Sequence, residues 1–579
     1  MRSSFYNIMI NHKHFLSLNQ YIGVIMKTKI SNLIIFLILL NALIQAQSLQ
    51  KAGDQIFTND NYNFISVNEV YQWQGNNGSS SHDPLSDGSG FYWPGGEAAT
   101  NSAIFADGLI WGGKINGQIY FNGSTYRSGL QAGKILDDGS PDDPSLLKYR
   151  IYKILKGWEN LPPGERRDEY ERDYNEWPVE DGAPWIDVNG DGVFTFGVDE
   201  PEFVGTENLW YVSNDLDSAR TTFTYGSQPI GLEVQAATYS FSETNFLKDA
   251  VFRKYLLVNE SNNNIDSLFI GYWSDDDLGF AGDDFSGCDS ILNLGYTYNS
   301  DNFDENYYGE NPPAIGHLLL QGPIVEAGQN DSAYFKCHWR KGFRNLPMTS
   351  FAFYIGSSAV YRDPDLGSYS GSIEFYNYLN GKLWDGSSFI DPHTQQAVKY
   401  PLAGNPGLGE GWYEGDGWQD GPAPGDRRIL ISSGPFTMAP GDTQEIVICI
   451  FAAMGSNNLN SISVLKNNAE LISGFYIPGL INSVENTGSD FPTYYALSQN
   501  YPNPFNPITT IKYALSENGF VTLNVYNPLG ELVAELVDKM QTIGQYEVGF
   551  NSDKLTSGVY IYTLKVNDFV LSKKMVVLK

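Results

Sequence analysis

The sequence has few of the residues that disulfide scaffolds and transition-metal sites require. Its 579 residues include three cysteines and six histidines. Three cysteines allow at most one disulfide bridge, so the chain is not a disulfide-stabilised scaffold. It contains neither HExxH nor CxxC, and the pattern does not indicate zinc. Cys337 and His338 are neighbours on an expected strand, where their side chains point to opposite faces and are poorly placed to bind one ion.

Basic residues are also scarce. Lysine and arginine total 36, against 67 aspartate and glutamate residues, and the formal net charge is −31. Such a negative field repels nucleic acid and disfavours direct binding to an anionic membrane surface. It favours solubility and the binding of cations.

Long hydrophobic runs are almost absent. The one near the N-terminus covers 33–40, follows Lys27 and Lys29, and is followed by small residues ending at Ala46. This pattern predicts a secretory signal peptide over 26–46, and no other run is long enough to span a membrane in the mature chain. Residues 1–25 do not fit the signal pattern, and we expect Met26 to be the true start.

Glycine and aromatic residues are abundant, which indicates a β-rich chain with many turns. We predict an antiparallel β-sandwich-like core of one or two domains over 47–481, followed by a linker over 482–496. The segment 54–92 reads as loop-rich. Alternation of apolar and polar residues predicts long strands over 231–241, 250–259 and 265–273, and further strands are expected over 350–354, 372–378, 428–432 and 444–452. The strands 250–259 and 265–273 are predicted to form a hairpin, and 165–176 and 460–472 are predicted helices.

Residues 497–579 form a separate pattern. Their lead-in, YPNPFNP, alternates proline with asparagine and excludes a helix. Period-two alternation follows, and turn residues recur at the spacing of a small antiparallel sandwich.

These residues resemble the type A C-terminal sorting domain of the type IX secretion system. The resemblance rests on YPNPFNP, VYN, LG, SGVY and the closing KMVVLK. It implies an immunoglobulin-like β-sandwich, export across the inner and outer membranes, and delivery to the cell surface or the medium. Its implied partners are the translocon and its sorting protease. The implied sorting residues are Tyr501, Pro502, Asn503, Pro504, Phe505, Asn506, Pro507, Gly558 and Lys574.

Phrases of the core, such as FADGLIWGGK and SSGPFTMAPGDTQE, resemble large uncharacterised secreted proteins that carry the same tail. That likeness implies secretion and a β-rich fold, and it implies no activity.

The segment beginning at Asp187 has the ligand spacing of a calcium loop. Oxygen ligands at its first, third and fifth positions and glycine at the sixth suit a hard cation, with a backbone carbonyl at the seventh. The twelfth position is Val198 rather than the usual glutamate, so Asp199 is the expected closing ligand. The alternative is an Asx-rich turn without metal. The predicted calcium ligands are Asp187, Asn189, Asp191, Val193 and Asp199.

A second acidic cluster follows a predicted strand. Several carboxylates within fifteen residues repel one another unless water or a cation screens them. The pattern fits a cation site and a solvated loop equally well. The candidate ligands are Asp275, Asp277, Asp283 and Asp284.

The Gly/Pro-rich loop between 404 and 425 contains Trp412, Tyr413 and Trp418. These rings have two interpretations: a stacking platform for sugars, or plugs that pin the loop to the sheet, which is the commoner use of loop tryptophans.

No catalytic signature is present: GxSxG, the P-loop and the dinucleotide fingerprint are all missing. The first hypothesis is therefore a non-enzymatic, calcium-stabilised surface or released protein that binds glycan or mediates adhesion. A secreted polysaccharide hydrolase that uses a carboxylate pair is the alternative, because 67 acidic residues leave such a pair open. A structural surface-layer component is the third.

Overall fold

The computed structural model describes residues 61–485, 496–497, 500, 502–515, 519–528, 531–542, 544–566 and 569–579. The predicted signal peptide, the upstream segment 1–25 and Tyr501 lie outside these ranges. Among the described helices, none combines the length and apolar character needed to cross a membrane.

The main strands of the core belong to one small sheet and two large ones. In chain order they are β1 (Tyr62–Ile65), β2 (Tyr71–Gly75), β3 (Phe91–Tyr92), β4 (Ser102–Ile104), β5 (Ala106–Ile115), β6 (Gln118–Gly123), β7 (Gln131–Ala132), β8 (Tyr152–Leu155), β9 (Glu207–Asn214), β10 (Leu232–Ser240), β11 (Ala250–Asn259), β12 (Ile265–Asp276), β13 (Asp284–Asp289), β14 (Leu294–Asn299), β15 (Ala314–Gln321), β16 (Ser350–Ile355), β17 (Arg427–Met438) and β18 (Thr443–Ala453).

The α-helices of the described core are α1 (Glu165–Asn175), α2 (Ser218–Tyr225), α3 (Tyr369–Leu379) and α4 (Asn458–Glu485). Short two-stranded hairpins fill the connections. They pair Trp185–Ile186 with Glu200–Pro201, Ile324–Glu326 with Phe343–Asn345, Ser332–Phe335 with His338–Lys341, His82–Asp83 with Gly88–Ser89, Phe303–Asp304 with Gly309–Glu310, and Phe389–Ile390 with Ala397–Val398.

The two large sheets pack face to face. The nine-stranded sheet has the order β8-β9-β10-β11-β18-β15-β14-β13, with β7 beside β9, and the five-stranded sheet has the order β16-β17-β12-β5-β6. All their pairings are antiparallel. Side chains of both sheets, such as Trp111, Tyr272, Leu257 and Ile448, share one buried cluster. The prediction of an antiparallel β-sandwich core is confirmed.

Helices cover the outer faces of this sandwich. The four predicted apolar positions of α4, Ile462, Leu465, Ala469 and Ile472, are all buried. They pack with Phe451 of β18 in a second cluster on the outer side of the nine-stranded sheet.

The expected strand over 372–378 is wrong, because this segment lies in helix α3. The side chain of Ser368 accepts a hydrogen bond from the Gly371 N–H, which caps the helix start. Phe375 of α3 then stacks on Phe121 of the five-stranded sheet, with ring centroids 4.5 Å apart. Aromatic residues favour strands, but here a helix cap and tertiary packing outweigh that preference.

The expected hairpin between β11 and β12 is also wrong. Both strands exist, but β11 pairs with β10 and β18, whereas β12 pairs with β17 and β5 of the other sheet. The first residues of β12 carry register shifts, and Ser267 has a positive φ of 49°. Each strand has a buried inner face, and that face is better covered by an opposing sheet than by its sequence neighbour.

The segment predicted to be loop-rich contains a small antiparallel sheet of order β1-β2-β3-β4. Its strands are two to five residues long. Runs this short give too few residues for their alternation to be recognised in the sequence.

The C-terminal region forms a second sandwich. Its strands are β19 (Ala496–Leu497), β20 (Ile508–Leu515), β21 (Gly519–Tyr526), β22 (Leu532–Gln541), β23 (Gly544–Asn551), β24 (Gly558–Val566) and β25 (Phe569–Val577). One sheet has the order β19-β20-β23 and the other β22-β21-β24-β25. Both enclose a core of their own, which includes Leu523, Tyr562 and Met575. The predicted C-terminal antiparallel sandwich is confirmed.

The lead-in motif of this sandwich packs against its last strand. Phe505 is buried and its N–H donates to the carbonyl of Val576 at 3.0 Å, while Leu578 N–H donates to the Phe505 carbonyl at 3.0 Å. The Asn503 side chain accepts from Val576 N–H at 2.8 Å. The two ends of the tail that carry its sequence resemblance therefore form one structural unit.

Candidate metal centre

Strand register creates the main acidic cluster of the core. Asp275 and Asp276 end β12, and they pair across the sheet with Arg428 and Arg427 of β17. Because strand side chains alternate between faces, Asp275 and Arg428 emerge on the outer face and the other pair on the inner face. The same rule places Asp277 on the outer side.

On that outer face, Asp275, Asp277 and Asp426 each offer a carboxylate oxygen, and these oxygens lie within 4.8 Å of one another. In the described part of the chain, no other set of three or more acidic, histidine or cysteine side chains is close enough to share an ion. An all-oxygen donor set suits calcium or magnesium. The three residues therefore fit a hard cation.

One guanidinium lies among these carboxylates. Arg428 Nε is 2.9 Å from Asp275 Oδ1 and 3.6 Å from Asp363 Oδ1, and its Nη1 is 2.7 Å from Asp426 Oδ2. The other Asp426 oxygen, Oδ1, is buried and has no hydrogen-bond partner. Four carboxylates face a single cation, so the cluster carries excess negative charge that a metal ion would neutralise.

The acidity of the cluster reflects this imbalance. Burial raises the pKa of Asp275 well above its ordinary value, Arg428 opposes the shift, and the neighbouring carboxylates add to it. Burial, followed by the charge of Asp426, raises the pKa of Asp277 to about 6. A proton is therefore bound more readily here than at an isolated aspartate.

This pKa shift gives a pH prediction for Asp277→Asn. The Asp277 carboxyl has a higher pKa in the folded protein than in the unfolded chain. Its protonation therefore contributes its full stabilisation below about pH 4, and this contribution is lost as the pH rises through about 6. Relative to the wild type, Asp277→Asn should gain about 1–2 kcal/mol of unfolding free energy between pH 4 and pH 7 in chelator. Urea unfolding across this pH range measures it. Exposed Asp420→Asn is the control, and parallel curves for wild type and Asp277→Asn would contradict the prediction.

Asp283 and Asp284 lie beside this triad but outside it. Asp284 is buried, and its Oδ2 accepts from Leu278 N–H at 3.2 Å. Burial raises the pKa of Asp283 to about 6 and that of Asp284 well above its ordinary value. The acidic residues predicted as one site are therefore separated in the structure. Asp275 and Asp277 lie at and just after the end of β12, whereas Asp283 and Asp284 lie just before and at the start of β13.

The predicted calcium loop is an exposed turn. Asp187 accepts hydrogen bonds from the N–H groups of Gly190 and Gly192 at 2.6 and 2.8 Å, and Asp191 accepts from Val193 N–H at 2.8 Å. Asp199 is buried and accepts from Val188 and Thr195 N–H groups at 2.9 and 2.6 Å. These bonds hold the loop closed through its side chains, and calcium at this loop remains a prediction.

The aromatic loop is packed inward. Trp412 is 5 % exposed and meets Trp418 edge-on, with centroids 5.1 Å apart, and Trp418 also packs against Tyr361. Tyr413 is half-buried. Between them in the loop, Glu414 makes a fully buried ion pair with Arg427 at 3.1 Å. This is the arrangement that the plug interpretation describes.

The inner face of the same strand ends holds a second polar pair. His317 Nε2 lies 3.0 Å from Asp276 Oδ1, and the two side chains are 1 % and 0 % exposed. Thr297 Oγ1 donates to the other carboxylate oxygen of Asp276 at 2.7 Å. A histidine–carboxylate pair buried between two sheets joins the sheets and is out of reach of a substrate.

Sequence reasoning missed three members of the outer cluster: Asp363, Asp426 and Arg428. The last two lie about 150 residues from Asp275, and the strand 428–432 was predicted without a partner. The signal that existed was the acid-base run Asp426-Arg427-Arg428 at the start of a predicted strand. The pairing of this segment with β12 could not be predicted, because a single sequence does not indicate which strands pair or in which register.

Comparison with known proteins assigns the tail. Residues 499–578 match the Por_Secre_tail family, described as a secretion system C-terminal sorting domain. No curated protein matches the chain.

Two solved structures show weak likeness. A polysaccharide lyase aligns at 8 % identity and a TM-score of 0.19, over 60 % of this chain and 34 % of that protein. Dimeric latent PorU from Porphyromonas gingivalis aligns at 10 % identity and a TM-score of 0.13, over 59 % and 26 %. Scores this low carry no argument about the core, and the chain spans only about a third or less of either length.

The sorting domain has the sequence, the length and the sandwich expected from the motifs of the tail. The chain is therefore type IX secretion cargo with a C-terminal sorting domain, exported to the cell surface or the extracellular space.

Proposed function

We propose that the exported core is a non-enzymatic, calcium-stabilised protein that binds glycan or mediates adhesion at or near the cell surface. The observation that carries the calcium part is the triad of Asp275, Asp277 and Asp426, whose oxygens converge and, among the described residues, are balanced by the single guanidinium of Arg428. Calcium ligated there would tie the end of β12 to the start of β17 and to the loop before it. A second calcium at Asp187, Asn189, Asp191 and Asp199 would fix an exposed loop.

The non-enzymatic part is supported by where the ionic pairs lie. Arg253–Asp107, Arg427–Glu414 and His317–Asp276 are essentially unexposed and connect separate elements. Pairs of this kind stabilise or specify a fold and cannot meet a polymer in solvent. The glycan part is supported by four partly exposed aromatic residues on one face of the small sheet: Phe64, Tyr71, Trp73 and Tyr92.

A polysaccharide hydrolase is the second candidate, and one observation favours it. Asp277 has a pKa raised to about 6 and lies beside Asp275, as a general acid near a second carboxylate would. Arg428 opposes this role because it is ion-paired to Asp275 and Asp426 within the same cluster.

The function is tested by retention of the full-length protein on insoluble polysaccharides, in calcium and in chelator, with released reducing ends measured alongside. Calcium-dependent retention without released sugar supports the proposal. Released oligosaccharide that is lost in Asp277→Asn favours the hydrolase. Absence of retention on every polysaccharide overturns glycan binding and favours the structural surface-layer role.

Calcium binding has its own prediction. At a calcium concentration one hundred times the Kd of a site, the folded protein should gain about 2.7 kcal/mol of unfolding free energy from that site over the chelator-treated protein. Asp426→Asn should remove the gain from the triad and Asp191→Ala the gain from the exposed loop, whereas exposed Asp420→Asn should keep both. Chemical unfolding in calcium and in chelator measures these gains. Identical wild-type curves in the two buffers would contradict both sites.

A further inference from the structure

Four aromatic side chains share one face of the small sheet. Phe64 of β1 pairs with Trp73 of β2, and Tyr71 of β2 pairs with Tyr92 of β3. Tyr71 and Trp73 are two residues apart, so both project to the same side, and cross-strand partners project with them. All four rings are only half-buried.

The opposite face of this sheet belongs to the protein core. Ile65, Gln72, Gln74 and Phe91 are 0 % exposed. The strands are therefore sided. On the aromatic side, the buried Lys153 Nζ lies 4.0 Å from the centroid of the Phe64 ring, so one face of that ring is already covered, and Tyr71, Trp73 and Tyr92 offer the remaining aromatic surface. This was not predicted, because the segment read as loop.

The four rings are in mutual contact. Phe64 stacks on Tyr71 with centroids 5.0 Å apart and an interplanar angle of 29°. Trp73 lies 5.5 Å from Phe64 and 5.9 Å from Tyr71, and Tyr92 lies 6.2 Å from Tyr71. Mutual contact of this kind fixes the rings before any ligand arrives, which lowers the entropic cost of binding.

Polar side chains lie near the rings. Arg166 pairs with Glu97 at 2.9 Å, with both side chains of that ion pair more than half exposed. Burial, followed by the nearby carboxylates of Asp83 and Glu97, raises the pKa of Tyr71 to about 12. These two carboxylates therefore lie close to the Tyr71 hydroxyl.

We propose that this aromatic face binds the sugar rings of an uncharged polysaccharide. The apolar C–H face of a pyranose packs on an aromatic ring, while its hydroxyls pair with guanidinium and carboxylate groups at the rim. The carboxylates of Asp83 and Glu97 lie close to Tyr71 in a strongly acidic chain, which disfavours an anionic glycan. The inference rests on the proposed glycan binding and gives it a location and a ligand class.

The test is affinity electrophoresis of the full-length protein in native gels. The gels contain hydroxyethylcellulose, xyloglucan, galactomannan or laminarin as uncharged probes, and carboxymethylcellulose or alginate as anionic ones. Trp73→Ala and Tyr71→Ala remove rings from the face, and Trp73→Tyr keeps a ring in place. Trp339→Ala is the matched control, since Trp339 is 56 % exposed on a separate hairpin. Thermal melting and circular dichroism of each variant establish that it folds.

We expect at least one uncharged probe to retard the wild type, with Kd raised tenfold or more by either alanine variant. This corresponds to about 1.4 kcal/mol or more. Trp73→Tyr and Trp339→Ala should bind nearly as the wild type does. Equal retardation of the wild type and the folded alanine variants would overturn the inference but would still support glycan binding elsewhere on the protein. Tighter binding to the anionic probes than to the uncharged ones would have the same two consequences. Absence of retardation by every probe would overturn both, and the rings would then be cross-strand pairs that stabilise the sheet.

Discussion

Asp107→Ala is expected to lower the unfolding free energy of the core by about 3–5 kcal/mol. Asp107 Oδ1 lies 2.7 Å from Arg253 Nη1, and both side chains are 0 % exposed. Asp107 is on β5 of the five-stranded sheet and Arg253 on β11 of the nine-stranded sheet, so this pair spans the centre of the sandwich. Removing the carboxylate leaves a guanidinium buried without its counter-ion.

The remaining partners of Arg253 do not replace that charge. Arg253 also donates to Ser80, Ser81 and Tyr272, which are neutral hydroxyls. A double substitution, Asp107→Leu with Arg253→Met, should recover most of the loss, because apolar side chains of similar volume remove both desolvated charges. Denaturant unfolding of single and double variants measures this cycle.

Glu97→Ala is the matched control for that cycle. Glu97 pairs with Arg166 at 2.9 Å, but the two side chains are 52 % and 55 % exposed. Such a pair contributes at most about 1 kcal/mol. A loss in Asp107→Ala no larger than the loss in Glu97→Ala would contradict the assignment of the buried pair as a stabilising link between sheets.

Arg428→Met is expected to cost about 3–5 kcal/mol at pH 7 in chelator, since it removes the guanidinium from a cluster of four carboxylates. The arginine is 11 % exposed and contacts Asp275, Asp363 and Asp426. The charge of Arg428 opposes the raised pKa values of Asp275 and Asp277, so without it these two pKa values rise further and the folded variant binds protons more strongly than the unfolded chain. Its stability deficit should therefore shrink as the pH falls from 7 to 4.

The stability of Arg428→Met in calcium is a second measurement on the same variant. If the triad binds a cation, millimolar calcium should restore more stability to Arg428→Met than to the wild type, because the ion no longer competes with the guanidinium. Arg344→Met, at an exposed position, is the control. A deficit that is independent of both pH and calcium would show that Arg428 acts through packing, and the triad would then lose its proposed role.

These two predictions concern two different arrangements of charged side chains in the core. On the inner faces, single acid-base pairs are buried and balanced, as at Arg253–Asp107 and Arg427–Glu414. On the outer face, acids exceed bases, and Asp363 and Asp426 lie within reach of solvent, where cations are available.

The sequence by itself determined the export of this protein and its general architecture. The motif YPNPFNP and the closing KMVVLK were sufficient to assign the sorting domain, because short motifs with fixed spacing are legible in one chain. Period-two alternation was sufficient for the long strand β11, a short apolar run was sufficient for β18, and apolar spacing was sufficient for the buried face of α4. These are local signals, set by residues that are close in sequence.

Only the tertiary structure decided which strands meet. In the folded protein, β11 and β12 belong to different sheets, residues 372–378 are helical, and Asp426 and Arg428 lie beside Asp275. The tertiary structure also gathered Phe64, Tyr71, Trp73 and Tyr92 on one face from strands too short to recognise. The physical reason is the same in each case: burial of one face against a distant partner decides pairing and register, and that choice is made by long-range packing rather than by local preference.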